Sequence, residues 1–211
     1  MRIELQSIRP HPIPEKLIPG SEIWATDLVI ESGQKRLIAA QSGKGKSTLL
    51  HILYGLRKDF SGEALMDGHS IRKHTNAEWE NIRRRKVSIL FQDLKLFPQL
   101  NARENLSLIP EENPSAPSVD EMLTTVGMED FGMQRVETLS FGQRQRIALL
   151  RALRKPFELL LLDEPFSHLD EENAIAASKL IEQMVELNKA SLILSSLGDV
   201  PPISFDGTFR L

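Results

Sequence analysis

A chain of 211 residues is the length of one compact domain, or of one domain with a small lobe. Its 41% hydrophobic and 26% charged content argues against disorder, and a formal net charge of -3 lacks the basic bias of a nucleic-acid binder. The chain has no cysteine for disulfides or thiolate metal sites, no signal-peptide core in MRIELQSIRP, and no apolar run near the roughly 20 residues that span a bilayer.

Along the chain, EIWATDLVIE (22–31) and KRLIAA (35–40) predict strands separated by an SGQ turn. Residues 47–55 predict a helix that stops on Gly55. GEALMDG (62–68) predicts a short strand running into a turn. Thr75 with Glu78, and Ser118 with Glu121, have the spacing of capping boxes at two helix starts. VSILF (87–91), LLLL (159–162) and SLILS (191–195) are apolar runs suited to buried strands. Residues 140–153 predict an arginine-rich helix. Residues 171–187 predict another, with Ala174, Ala177, Ile181, Met184 and Val185 on one face. Strands alternating with helices imply a mainly parallel sheet covered on both faces. Residues 101–136, rich in Asn, Glu and Pro before turning helical, interrupt that alternation and predict an inserted helical lobe.

The stretch AAQSGKGKSTLL (39–50) sits between a predicted strand and a predicted helix, the context of a phosphate-binding loop. Gly43 and Gly45 let the backbone curl so that successive N–H groups face one concavity, and the helix start adds partial positive charge. The segment Ala40, Gln41, Ser42, Gly43, Lys44, Gly45, Lys46, Ser47 and Thr48 would thus cradle a triphosphate. Lys46 would reach its terminal phosphates, and the Ser47 hydroxyl would ligate Mg²⁺. Ala40 stands where this pattern usually has its first glycine, a modest departure if its backbone angles are ordinary.

In LLLLDEP (159–165) a buried strand delivers Asp163 and Glu164 at its C-terminal end, where open α/β sheets bind ligands. Asp163 is placed to hold Mg²⁺ through water, and Glu164 to polarise an attacking water.

These two motifs, with LSFGQRQRIALLRAL (139–153) and ILFQDLKLFPQLNARENL (89–106), resemble the nucleotide-binding subunit of ATP-binding cassette (ABC) transporters. The order matches the family: phosphate loop, a glutamine after a strand (Gln92), an L-S-G-G-Q signature (here LSFGQ), then a strand ending in D-E. SHLD (167–170) resembles the family's D-loop. The similarity covers residue 22 to the end, and IRRRKVSILFQ (82–92) looks most like the lipoprotein-releasing, macrolide-export and cell-division branch.

The resemblance implies a P-loop NTPase fold of the α/β class: a mainly parallel sheet flanked by helices, with an antiparallel β subdomain and an inserted helical subdomain. It implies one ABC ATPase domain over 1–211, with 1–92 and 155–211 forming the nucleotide-binding core and about 93–154 the helical subdomain. Lys46, Gln92 and Glu164 would be catalytic, and Ser47, Gln92 and Asp163 would hold the metal. Ser140, Gly142 and Gln143 would close over the γ-phosphate of ATP bound to a facing subunit, using the helix start behind them. The expected partners are a second ABC ATPase subunit, identical or homologous, and integral membrane permease subunits. The expected location is the cytoplasmic face of the membrane.

Three positions depart from the family pattern. Phe141 replaces the signature's first glycine. Ser195 and Ser196 occupy the threonine and histidine positions of T-H-D in LILSSLGD (192–199), so the switch histidine is absent. Serine is shorter and carries no positive charge, so the reading is of an ATP hydrolase that turns over slowly. The segment 9–20 has no Tyr, Phe or Trp to stack on adenine; His11 is a candidate substitute, the stacking partner is left open, and Trp24 is assigned to the core. Leu96, Phe97 and Leu100 are candidates for receiving a helix of the membrane chain, or for the core of the helical lobe. Two alternatives stand beside the transporter reading: a catalytically impaired binding subunit paired with a more active homologue, and a non-transport ABC-type ATPase.

Overall fold

The computed structural model describes residues 1–11, 13–198 and 201–211; Pro12, Asp199 and Val200, and with them part of the 192–199 segment, lie outside the described residues. The chain runs β1 (Ile3–Pro10), β2 (Asp27–Ile30), β3 (Lys35–Ala39), α1 (Lys46–Leu53), β4 (Phe60–Met66), β5 (His69–Ser70), α2 (Asn76–Arg85) and β6 (Val87–Leu90). It continues through α3 (Ala102–Ser107), α4 (Val119–Thr125), α5 (Phe141–Leu153), β7 (Leu159–Asp163), α6 (Glu171–Leu187), β8 (Ser191–Ser196) and β9 (Gly207–Arg210).

The strands form two sheets, one antiparallel in the order β2-β1-β4-β5 and one wholly parallel in the order β6-β7-β8-β3-β9. Every residue of β7 and β8 is buried, as expected of strands covered on both faces. Successive side chains alternate between two cores. Leu159, Leu161 and Ile193 pack with α1, Trp79 of α2 and the antiparallel sheet. Leu160, Leu162, Leu192 and Leu194 pack instead with α3, α4, α5 and α6. The fold is therefore mixed α/β, with a parallel sheet held between an antiparallel sheet and a helical layer.

Several element boundaries follow from side-chain chemistry. Thr75 with Glu78 and Ser118 with Glu121 form the expected capping boxes; Asn101 with Glu104 and Ser140 with Gln143 form two more. β1 is a strand that period-two reading of the sequence does not reveal. Its alternation of Ile3 and Leu5 breaks at a bulge, where Ser7 takes a φ of 49° before Ile8 returns to the core. Conversely, the expected strand over 22–31 is present only as β2. Ser21 Oγ accepts hydrogen bonds from the backbone N–H groups of Ile23 and Trp24, and Ala25 sits at φ 61°, so those residues turn.

Candidate functional site

The loop between β3 and α1 is shaped by its two expected glycines, Gly43 at φ 77° and Gly45 at φ 100°. Gly45 is doubly constrained, because a Cβ there would lie 2.6 Å from Ile13 Cδ1 and 3.1 Å from the Trp24 ring. Ala40 is not among the positive-φ residues, so it fits without a glycine's freedom. Its N–H donates to Ser196 O at 3.2 Å, which ties the loop to β8. As the N-cap of α1, Gly45 supplies no side chain to its first turn, whereas α2, α3, α4, α5 and α6 are each capped by a side chain. Those N–H groups, with the helix dipole behind them, are the donors an anion would meet.

Lys46 is 5% exposed and folds back over this loop, donating to Ala40 O at 2.8 Å and Gln41 O at 3.2 Å. Its ammonium also lies 3.1 Å from Glu164 Oε1. Ser42, Gly43, Gly45, Ser47 and Thr48 border the same cleft of about 230 Å³, with Gln92 and Glu164 across it and Ile13 and Pro14 at its rim. A neighbouring cleft of about 580 Å³ brings Ser47, Gln92 and Asp163 together beside His51. Burial lowers the pKa of His51, against an opposing pull from the Asp163 carboxylate.

Asp163 and Glu164 stand at the C-terminal end of β7. The Asp163 carboxylate is 2% exposed and accepts a 2.6 Å hydrogen bond from Ser195 Oγ. Glu164 takes a φ of 51°, a left-handed conformation that a non-glycine residue keeps only when its surroundings hold it there. Its N–H donates to Ser195 O at 3.2 Å and to Ser195 Oγ at 3.1 Å. Its carbonyl accepts from Gln145 Nε2 at 2.9 Å and Ser167 Oγ at 3.1 Å. Three segments thus fix one residue.

A family model described as ABC transporter matches residues 25–167. The chain belongs to the ABC transporter family. Among similar solved structures is the dimer of the ATP-binding cassette MJ0796 bound to ADP and Pi in a post-hydrolysis state. It is 27% identical, with a TM-score of 0.75 over 92% of this chain and 87% of that one. A second dimeric structure of MJ0796, described as a bacterial ABC transporter cassette, gives 27% identity and a TM-score of 0.75 over 92% and 88%. The protein is an ABC ATPase cassette with the P-loop NTPase fold.

In this ABC cassette, Ser140, Gly142 and Gln143 lie at the start of α5 and do not line the cleft around Lys46. Ser140 and Gln143 cap each other, at 3.3 and 2.9 Å. Gly142 is needed for an approach within the chain: a Cβ there would meet His168 O at 2.7 Å. The Phe141 ring, 40% exposed, packs edge-on against His168 with ring centroids 4.3 Å apart. Signature and D-loop are therefore in direct contact.

His11 is not among the residues lining the cleft around Lys46, whereas Ile13 and Pro14 are. Trp24 is core, at 1% exposure, yet its indole N–H also reaches Lys44 O at 3.3 Å and braces the phosphate loop. Sequence reading passed over Gln145, whose only signal is polarity on the buried face shared with Leu149. It also passed over Arg151, which donates to Leu94 O at 3.0 Å and Lys95 O at 2.8 Å. Those two residues, at φ 61° and 49°, follow Gln92 directly in the chain after Asp93, so α5 clasps the Gln92 loop.

Proposed function

We propose that this ABC cassette binds and hydrolyses ATP as one half of a cassette pair, coupling pair closure to transport through integral membrane permease subunits. The observation that carries the reading is the convergence of Lys46, Ser47, Gln92, Asp163 and Glu164 on adjoining clefts at the C-terminal ends of the parallel strands. The residues Ala40, Gln41, Ser42, Gly43, Lys44, Gly45 and Thr48 form the remainder of the phosphate cradle, their backbone supplying the donors.

The donor set fits Mg²⁺. A serine hydroxyl, an amide oxygen and a buried carboxylate are hard oxygen ligands, and Ser47, Gln92 and Asp163 border one cleft. Magnesium, when bound, neutralises charge on the phosphate oxygens. Lys46 adds a fixed positive charge, and the α1 dipole favours the anion. Glu164, held at its unusual backbone angle, accepts a proton from the attacking water. Ser140, with Gly142 and Gln143, closes over the γ-phosphate of the facing subunit's ATP; the Ser140 hydroxyl retains its proton for that role while its oxygen caps α5.

The whole chain acts as a single ABC ATPase domain, with 1–92 and 155–211 as the nucleotide-binding core and about 93–154 as a helical subdomain carrying the signature. Phe97, Leu108 and Met133, 53%, 49% and 74% exposed, offer apolar surface there to a helix of the permease. Leu96, by contrast, packs on the core. No helix among the described residues is long and apolar enough to cross a membrane; in this reading the permease subunits hold the cassette at the cytoplasmic face. Ser196 favours a second version of the same reading, in which this subunit turns over slowly beside a more active homologue.

Titration calorimetry with Mg-ATP tests the reading, with Lys46→Ala expected to abolish binding. Purification from detergent-solubilised membranes tests the partner: a multi-span chain supports transport. Co-purified nucleic acid would point instead to a non-transport ABC-type ATPase, and absence of any nucleotide binding would sink both.

A further inference from the structure

We propose that Ser195 is a positioning residue for Asp163 and Glu164, and that its hydroxyl sets the magnesium affinity of the site. The inference rests on the nucleotide-binding reading above. Asp163 and Ser195 are register partners across the parallel pair β7 and β8, so the two side chains meet by virtue of strand pairing itself. The Ser195 hydroxyl donates to Asp163 Oδ1 at 2.6 Å, in the range of a charge-assisted O–H···O⁻ bond. Having one proton, it meets the Glu164 N–H at 3.1 Å with a lone pair. One buried hydroxyl therefore restrains both carboxylate-bearing residues: the side chain of one and the backbone of the next.

Ser195 is 0% exposed and Asp163 2% exposed, so bulk water cannot replace this bond if it is lost. The consequence falls unequally on the two neighbours. Glu164 N–H also has Ser195 O at 3.2 Å, a contact any residue at 195 retains. The Asp163 carboxylate has no such substitute from position 195. Loss of the hydroxyl therefore acts first on the metal-side carboxylate. Partners of this kind, which orient a metal's ligands, typically carry 10–100-fold in metal affinity.

Three variants separate hydroxyl from shape. Ser195→Thr keeps the hydroxyl, Ser195→Val has nearly the same shape without it, and Ser195→Ala removes it without adding bulk. ADP is titrated in EDTA, and MgCl₂ is then titrated into the ADP-saturated proteins, both by calorimetry. Metal-free ADP affinity is expected to stay within about 2-fold throughout, while half-saturating Mg²⁺ rises about 10-fold in the Ala and Val variants and returns to about wild type in Thr. A wild-type magnesium requirement in Ser195→Ala, or equal impairment in Thr and Val, overturns the proposal. Should the bulkier variants fail to fold, the Ala variant decides alone. Failure of the wild-type protein to bind ADP under either condition overturns the nucleotide reading, a result distinct from an unchanged Ala variant.

Discussion

Lys46 Nζ lies 3.1 Å from Glu164 Oε1, with the two side chains only 4% and 10% exposed. The lysine proposed to meet phosphate and the glutamate proposed to activate water are thus partners of each other, and an incoming phosphate would have to take the lysine from the glutamate. An ion pair this enclosed competes with ligand more strongly than an exposed one would.

Neutralising the competitor should therefore help binding while harming chemistry. In Glu164→Gln, affinity for Mg-ADP is expected to rise about 3- to 10-fold, on the order of 1 kcal/mol, because the free state no longer satisfies Lys46 with a full charge. ATP turnover should fall by at least about 100-fold. Calorimetry with ADP, which separates binding from hydrolysis, checks this; weaker ADP binding would contradict it.

Ser196 is 8% exposed and borders a cavity of about 330 Å³ beside Glu164, Ser167 and Leu197. That space accommodates an imidazole. Ser196→His is expected to raise the single-turnover hydrolysis rate about 10-fold by adding a donor at the developing phosphate charge. A fast wild-type rate that the substitution leaves unaltered would remove the case for slow turnover.

Gly142→Ala sets two effects against each other. Alanine favours a helix interior over glycine by up to about 1 kcal/mol and a first-turn position such as 142 by less, but here its methyl would sit 2.7 Å from a backbone carbonyl, His168 O, which cannot simply swing aside. The clash is expected to dominate, with a net loss of about 1–2 kcal/mol and a melting temperature lower by roughly 2–8 °C. Thermal unfolding measures it. A higher melting temperature would mean that signature and D-loop are not in tight contact.

Lys155 is buried, and its ammonium donates to Arg83 O and to Val87 O, the latter at 2.6 Å. Burial pushes its pKa down from 10.5 to about 8. Between those values the unfolded chain still holds a proton that the folded chain has released, so this residue makes stability increase as pH rises from about 8 to 10.5. The gain is at most about 3 kcal/mol. Urea unfolding of wild type and Lys155→Met at pH 7.5 and 10 isolates it: the difference between the two proteins should change with pH in wild type's favour at the alkaline end. A pH-independent difference would show that the lysine titrates normally.

Much of the layout was legible because strong local signals coincide with the fold. The leucine run at 159–162 and the apolar run at 191–195 are buried on both faces, and the helix over 171–187 has the bounds its amphipathic pattern predicts. The phosphate loop was readable for the same reason, since its glycines are where backbone geometry admits little else. What escaped is what depends on partners distant in the chain. Ser195 gains meaning only from Asp163, 32 residues away, and Gln145 only from the carbonyl of Glu164. The path of 13–25 is likewise set by contacts: Ile13 and Trp24 press on Gly45, which no local pattern in 9–31 announces.

The strand that leads into the phosphate loop, β3, is flanked on one side by β8 and on the other by β9, so residues 35–39 pair with 192–196 and 36–39 with 207–210. Both neighbours lie more than 150 residues beyond β3 in the chain. A ribosome that has synthesised the loop, α1 and even Asp163 has not yet provided what the loop's strand must pair with, and such long-range closure is slow. During translation, nucleotide capture therefore waits for chain that is synthesised long after the loop itself.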